Sequence, residues 1–429
     1  MRAGIAASTF AAGTTIMKMK KIILPCALLL FSKGIHAQGK IAKEHFASGK
    51  ELYAEQRYSE SIARFSTAIS FFPEYGEAIL LRGVAFSKLN DLTAAIADYD
   101  KAISLRPHHS VGYFHRGLAE LKLGYDSLAC LDFTRAIQIL PDYSLFNFRG
   151  ISLLNMKKYS EAIPDFKQAI NLDQFKDSAY FNLGLAEYSL KQYSKALPDF
   201  NRALYLNPQH ELAYYHRGIN FLCLGDTSSA LLDLGNVLKI NPRNSAAAYS
   251  RAALYAQLGV YNLALEEFTT AIQLSPDSAR GYVNRGNVFL ETGQYRQAAM
   301  DYQTAATLSP NSSAAFYSKS IAEYHLDHFD LAIADLDKAI SLNPAFTEAY
   351  KLRGNIYYQL GDFENALVSI SAAIEMNASV EIYCDRAAVY SEMGLYDEAL
   401  NDFNKALEID QLCEEAIEGK KVIAAEYGL

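Results

Sequence analysis

Gly34-Ile-His-Ala-Gln-Gly39-Lys40 has the spacing of a loop that wraps phosphate in backbone N–H groups and reaches it with a lysine. Ile41 stands where a hydroxyl would have to hold magnesium, and no strand leads into the loop. His325 and His328 with Asp330 are metal-ligand types at close spacing. They fall at the end of one predicted helix and the turn after it, where histidines are ordinarily solvated. His115 and His216 share one position of a repeating pattern but lie three repeats apart, too far to hold one ligand. No Ser-His-Asp or Cys-His grouping has a supporting local motif. These residues therefore predict no enzyme, no catalytic or metal-ligating set and no cofactor.

What would position any site is a repeat. The stretch 279–310, ARGYVNRGNVFLETGQYRQAAMDYQTAATLSP, recurs with a period of 34 residues. Its Gly286 column reads Gly49, Gly83, Gly117, Gly150, Gly184, Gly218, Ala252, Gly286, Ser320, Gly354 and Ala387. Small residues follow twelve and nineteen positions on, as at Ala298 and Ala305, and allow helix axes to approach closely. Prolines such as Pro208, Pro242 and Pro310 close repeats, because proline cannot continue a helix. Glycines at Gly124, Gly225, Gly259, Gly293, Gly361 and Gly394 mark a left-handed turn between two helices. Ser127, Ser228, Asn262 and their equivalents, three residues later, are read as N-caps of the second helix.

The array is placed at 38–412, with repeats starting near 42, 76, 110, 143, 177, 211, 245, 279, 313, 347 and 380. A helix over 413–429 is expected to cap its apolar end. These residues resemble the tetratricopeptide repeat. Tyr180, Leu183-Gly184, Ala196, Phe200, Ala203 and Pro208 match that family's pattern almost residue for residue, and the match runs from about Ile41 to Gln411. Gln174, Ala378 and Gln411 depart from it where proline is expected. The resemblance implies an all-α fold, a superhelical solenoid of antiparallel helix hairpins whose first helices line a concave groove.

An arginine precedes the Gly column at Arg82, Arg116, Arg149, Arg217, Arg251, Arg285, Arg353 and Arg386. Asp98, Asp199, Asp233 and Glu267 lie eighteen residues upstream of four of them, which predicts a ladder of ion pairs from each repeat to the next. The groove wall is read from first-helix positions: Phe114, Leu118, Phe181, Tyr188, Tyr215 and Ile219, then Tyr249, Tyr317, Tyr324, Lys351, Asn355 and Tyr358. Such an aromatic, amide-dotted wall suits an extended peptide or a partner helix, and part of it is equally core packing. Some members of the family hold a C-terminal carboxylate with Lys and Asn on successive first helices. Lys351 and Asn355 match the first pair, but the next repeat offers Cys384, Asp385 and Ala388, so that clamp is incomplete.

Residues 1–37 read as an N-terminal extension and a secretory signal. Lys18, Lys20 and Lys21 precede the apolar run Ile22–Phe31, and small residues follow at Ala37. Cleavage near Ala37 would place the mature chain in the periplasm or cell envelope; an N-terminal membrane anchor is the alternative. Of the cysteines left after cleavage, Cys384 and Cys413 are the pair expected on adjacent first helices, with the disulfide left open. The net charge of −8 argues against binding nucleic acid. The functional expectation is a non-enzymatic scaffold that holds a protein or peptide, with no membrane span in the mature chain. The alternative is an accessory subunit of an envelope enzyme or transport complex.

Overall fold

The structure is a computed structural model that describes residues 38–427. The leader 1–37, Cys26 within it and residues 428–429 lie outside the described residues. Every regular element described is an α-helix. The chain divides into two compact units, 38–224 and 225–427, each considered by itself.

The first unit runs through α1 (38–54), α2 (Tyr58–Phe71), α3 (Gly76–Lys88), α4 (Leu92–Leu105), α5 (Ser110–Lys122) and α6 (Asp126–Ile139). It continues with α7 (Tyr143–Asn155), α8 (Tyr159–Leu172), α9 (Asp177–Ser189), α10 (Tyr193–Leu206) and α11 (Glu211–Cys223). The second runs through α12 (Thr227–Ile240), α13 (Ser245–Gln257), α14 (Tyr261–Leu274), α15 (Ala279–Glu291), α16 (Tyr295–Leu308) and α17 (Ser313–Tyr324). It ends with α18 (Phe329–Leu342), α19 (Thr347–Gln359), α20 (Phe363–Met376), α21 (Val380–Glu392), α22 (Tyr396–Ile409) and α23 (Glu414–Tyr427). Within each unit a helix packs on the helices before and after it, so the fold is an all-α solenoid of tandem helix pairs.

The period has a steric cause. Glycines of the column face a large side chain sixteen positions on: Gly150 meets Phe166, Gly286 meets Tyr302 and Gly354 meets Ile370. Phe166, Tyr302 and Ile370 are fully buried. A Cβ built on Gly150 would lie 2.5 Å from the Phe166 ring. Gly150→Val is accordingly expected to cost roughly 1–3 kcal/mol through overpacking, read as a lower urea midpoint. An unchanged midpoint would show that the ring can retreat freely. The helix α23 sets Gly419 against Phe403 in the same way and buries Ala416 and Ile423.

The turn between paired helices has one left-handed residue. Glycine holds it at Gly124, Gly225, Gly259, Gly293, Gly361 and Gly394, with φ between 72° and 81°. At the same position Gln56, Asn90, Lys157, Lys191 and Asp327 adopt φ near 60°, so the turn is imposed even where glycine is absent. The second helices begin two residues earlier than the cap reading of Ser127 and its equivalents required. Asp91, Asp226 and Asp362 are the side chains that accept hydrogen bonds at those N-termini, from Ala94, Ser229 and Asn365 N–H.

The arginine ladder is also corrected. Arg149 donates from Nε and Nη2 to Asp165 at 2.7 and 2.6 Å, a carboxylate sixteen residues downstream on the second helix of its own pair. Arg82 with Asp98, Arg116 with Asp132, Arg285 with Asp301 and Arg386 with Asp402 repeat this two-point contact. Arg251 pairs with Glu267 in place of Asp233. In five of them the remaining Nη1 reaches back to the preceding pair: Arg82 to Ser66, Arg116 to Asp100, Arg149 to Thr134, Arg285 to Thr269 and Arg386 to Ser371. Arg82, Arg116, Arg149, Arg285 and Arg386 therefore each close their own hairpin and pin it to the one before.

Candidate functional site

The first helices of each unit are tied edge to edge by side chains 35 residues apart. Tyr143 and Ser178 hydroxyls lie 2.8 Å apart, and Asn182 Nδ2 donates to Asn147 Oδ1 at 3.1 Å. In the second unit Asn284 Nδ2 donates to Tyr249 Oη, and Gln359 Nε2 donates to Tyr324 Oη at 2.7 Å. These bonds join α7 to α9 in the first unit, and α13 to α15 and α17 to α19 in the second.

Of the twelve residues read as groove wall, all but Phe181 are partly exposed. Phe181 is buried between Phe200, His210 and His216. Phe114 packs on Phe133 and Phe148, with Leu118 in the same cluster. Tyr188 lies against Tyr193, and its hydroxyl is 4.0 Å from Cys223 Sγ; burial and this thiol push the phenol up to about 12. Tyr215 meets His216 edge-on, and Ile219 is one turn along α11. In the second unit Tyr249 packs on Phe268, Tyr317 on Phe346, Tyr324 on Phe329 and Tyr358 on Phe363. These rings are half core and half surface.

Lys351 bonds Glu381 and lies 3.9 Å from Asp385, whose carboxyl burial pushes up and this ammonium draws down. The lysine of the incomplete clamp is thus occupied within the chain. His325 stacks on Tyr295 at 4.5 Å, and His328 Nδ1 is 2.8 Å from Glu323 Oε2. Among the described residues no group of three His, Cys, Asp or Glu could hold a metal ion. His115 and His216 are desolvated, which lowers His115 to about 4 and His216 below its ordinary value.

Sequence reasoning missed a set of buried acids. Glu120, Glu187 and Glu323 sit three residues after the Gly column, where other repeats carry Phe, Tyr or Leu. An acid in an otherwise apolar column was the available signal. Burial and the adjacent Asp132 push Glu120 up to about 7. The pair α9 and α10 has Leu183 where the arginine belongs, and burial followed by the charge of the neighbouring Glu187 raises Asp199 to about 7.

Cys384 and Cys413 are free thiols with sulfurs 3.9 Å apart. Burial, then Cys413, pushes Cys384 up to about 12, whereas Cys223 is exposed. With iodoacetamide at mild alkaline pH, Cys223 is expected to label first and Cys384 last, since the thiolate is the nucleophile. Equal labelling rates, read by mass spectrometry, would contradict this packing.

Tetratricopeptide repeat profiles match residues 46–110, 143–175, 178–210, 254–293, 283–345, 326–381 and 380–411, together well over half of the chain. The chain belongs to the tetratricopeptide repeat family. Among solved structures, the C-terminal part of a TPR repeat-containing protein from Cytophaga hutchinsonii has a TM-score of 0.50 at 18% identity, covering 56% of this chain and 98% of that one. A tetratricopeptide repeat protein from Parabacteroides merdae gives 0.43 at 20% identity, covering 57% and 98%. YrrB, described as a TPR protein with an unusual peptide-binding site, gives 0.39 at 23% identity, covering 44% and 97%. These likenesses concern the fold alone. No curated protein matches the sequence. This TPR protein is a scaffold for protein interactions, and no helix among its described residues is long and apolar enough to cross a membrane.

Proposed function

We propose that this TPR protein is exported and holds a partner protein, as an extended peptide or a single helix, against the face of its first helices. The observation that supports this reading is the division of labour within each hairpin. Ala and Gly close the space between helices, while Tyr215, Tyr249, Tyr317 and Tyr358 of the first helices stay partly exposed. Tyrosine suits such a surface because it offers a large apolar body and one polar end at little entropic cost.

The test is photo-crosslinking in the native envelope fraction. Benzoylphenylalanine in place of Tyr317 or Tyr358 should trap the same protein, and in place of Met300, exposed on α16, should trap none. Trapping from Met300 alone would contradict a first-helix face. Export rests on the lysines and apolar run of residues 18–31, and predicts a mature N-terminus near Gln38. A chain purified with its start at Met1, Met17 or Met19 intact would overturn export and leave the scaffold reading standing.

A further inference from the structure

Arg280 stands apart from the other cations of the second unit's first-helix face. Lys351 is neutralised by Glu381 and Asp385, and Lys319 by Asp335. Arg280 is exposed near the start of α15 and makes no ion pair or hydrogen bond with a carboxylate among the described residues. Its guanidinium lies 4.6 Å from the centre of the Tyr249 ring on α13, and the Tyr249 hydroxyl is itself held by Asn284. An aromatic partner fixes where the cation stands and leaves its N–H donors unspent.

Beside it, between α15, α17 and the end of α16, opens a cavity of about 270 Å³. Its apolar wall is Ala279, Val283, Ala305, Ala314 and Ala315. Small side chains create the space, because larger ones at these positions would fill it. The volume falls below the roughly 300–1,000 Å³ that a whole small-molecule ligand occupies, and suits one aliphatic side chain.

We propose that Arg280 and this alanine-walled cavity form a two-part docking site for an extended peptide that carries an aspartate or glutamate within two positions of an aliphatic residue. The inference rests on the first-helix reading and makes it specific. The guanidinium supplies a two-point contact for the carboxylate, and the cavity takes the aliphatic side chain, with the peptide backbone crossing the helices.

The test is selection of random twelve-residue peptides, displayed on phage, against the full chain. The enriched peptides should share the acid-plus-aliphatic pair. R280E should weaken them at least tenfold and should bind better to the version in which lysine replaces the acid. A314F places a ring over the cavity from an exposed position and should weaken the original peptides at least tenfold without lowering the melting temperature. Peptides that lose binding with Tyr317→Ala or Tyr358→Ala but ignore both Arg280 and Ala314 would overturn this site and leave the first-helix reading intact. Peptides that depend on Arg280 but contain no acid would also overturn it. Failure to enrich any peptide would overturn this site and leave the first-helix reading to the crosslinking test.

Discussion

Replacing Arg149 by leucine is expected to lower the stability of the folded chain by about 3 kcal/mol near neutral pH. Asp165 has a side chain only 6% exposed, and its two oxygens face Nε and Nη2 of this arginine. Removing the cation leaves a buried carboxylate without its partner and also releases Thr134 on the preceding hairpin. The chain holds its own precedent, since Leu183 occupies the arginine position before Gly184 and Asp199 is pushed up to about 7. Adding Asp165→Asn to the variant should recover most of the loss, because a neutral amide bears far less desolvation cost than a charge. Arg149→Lys should recover part of it, as Lys319 does at 3.0 Å from Asp335. Urea midpoints of the four proteins decide the matter, and a loss below about 1 kcal/mol for the leucine variant would place the pair among solvated surface bridges.

Asp199→Asn should change how stability responds to pH. The folded chain keeps the Asp199 proton until about pH 7, raised by burial and by Glu187, whereas an unfolded aspartate releases it near 3.8. Between those values the folded state binds more protons than the unfolded one. Stability contributed by this group is therefore fully present below pH 3.8 and is lost as pH rises through 7. The asparagine variant should melt with the wild type at pH 4 and above it at pH 8. Glu120, raised by burial to about 7, adds a slope of the same sign, so Glu120→Gln should flatten the remainder. A wild-type melting temperature that climbs from pH 5 to pH 8 by the amount these variants lack would reverse the sign and refute the assignment.

The fold was legible because its cause is local and repeated. A glycine that must face Phe166 or Tyr302, and a left-handed residue that must end each first helix, leave marks at fixed spacing. The partner of each arginine was not legible, for an arithmetic reason. In a 34-residue period the column eighteen residues upstream is the column sixteen residues downstream, so pattern alone cannot say which copy is touched. The hairpin settles it, because antiparallel helices joined by a short turn bring Arg149 to Asp165 first. The cap positions failed differently, since Ser127 lies inside α6 and not before it. On the first-helix face, spacing could mark Lys351 and Phe181 as groove positions, but neutralisation by Glu381 and burial under His210 depend on neighbouring helices. Arg280 lies outside the arginine column before glycine, so no repeat spacing marks it.

The central claim, that the first helices carry the partner, is tested most directly by hydroxyl-radical footprinting of the chain alone and with its crosslink-identified partner. Tyr215, Tyr249, Tyr317 and Tyr358 are partly exposed and should lose reactivity when the partner binds. Tyr205 and Met300, exposed at 75% and 67% on second helices, should react as before. Protection of Tyr205 and Met300 with the four first-helix tyrosines unchanged would contradict the account.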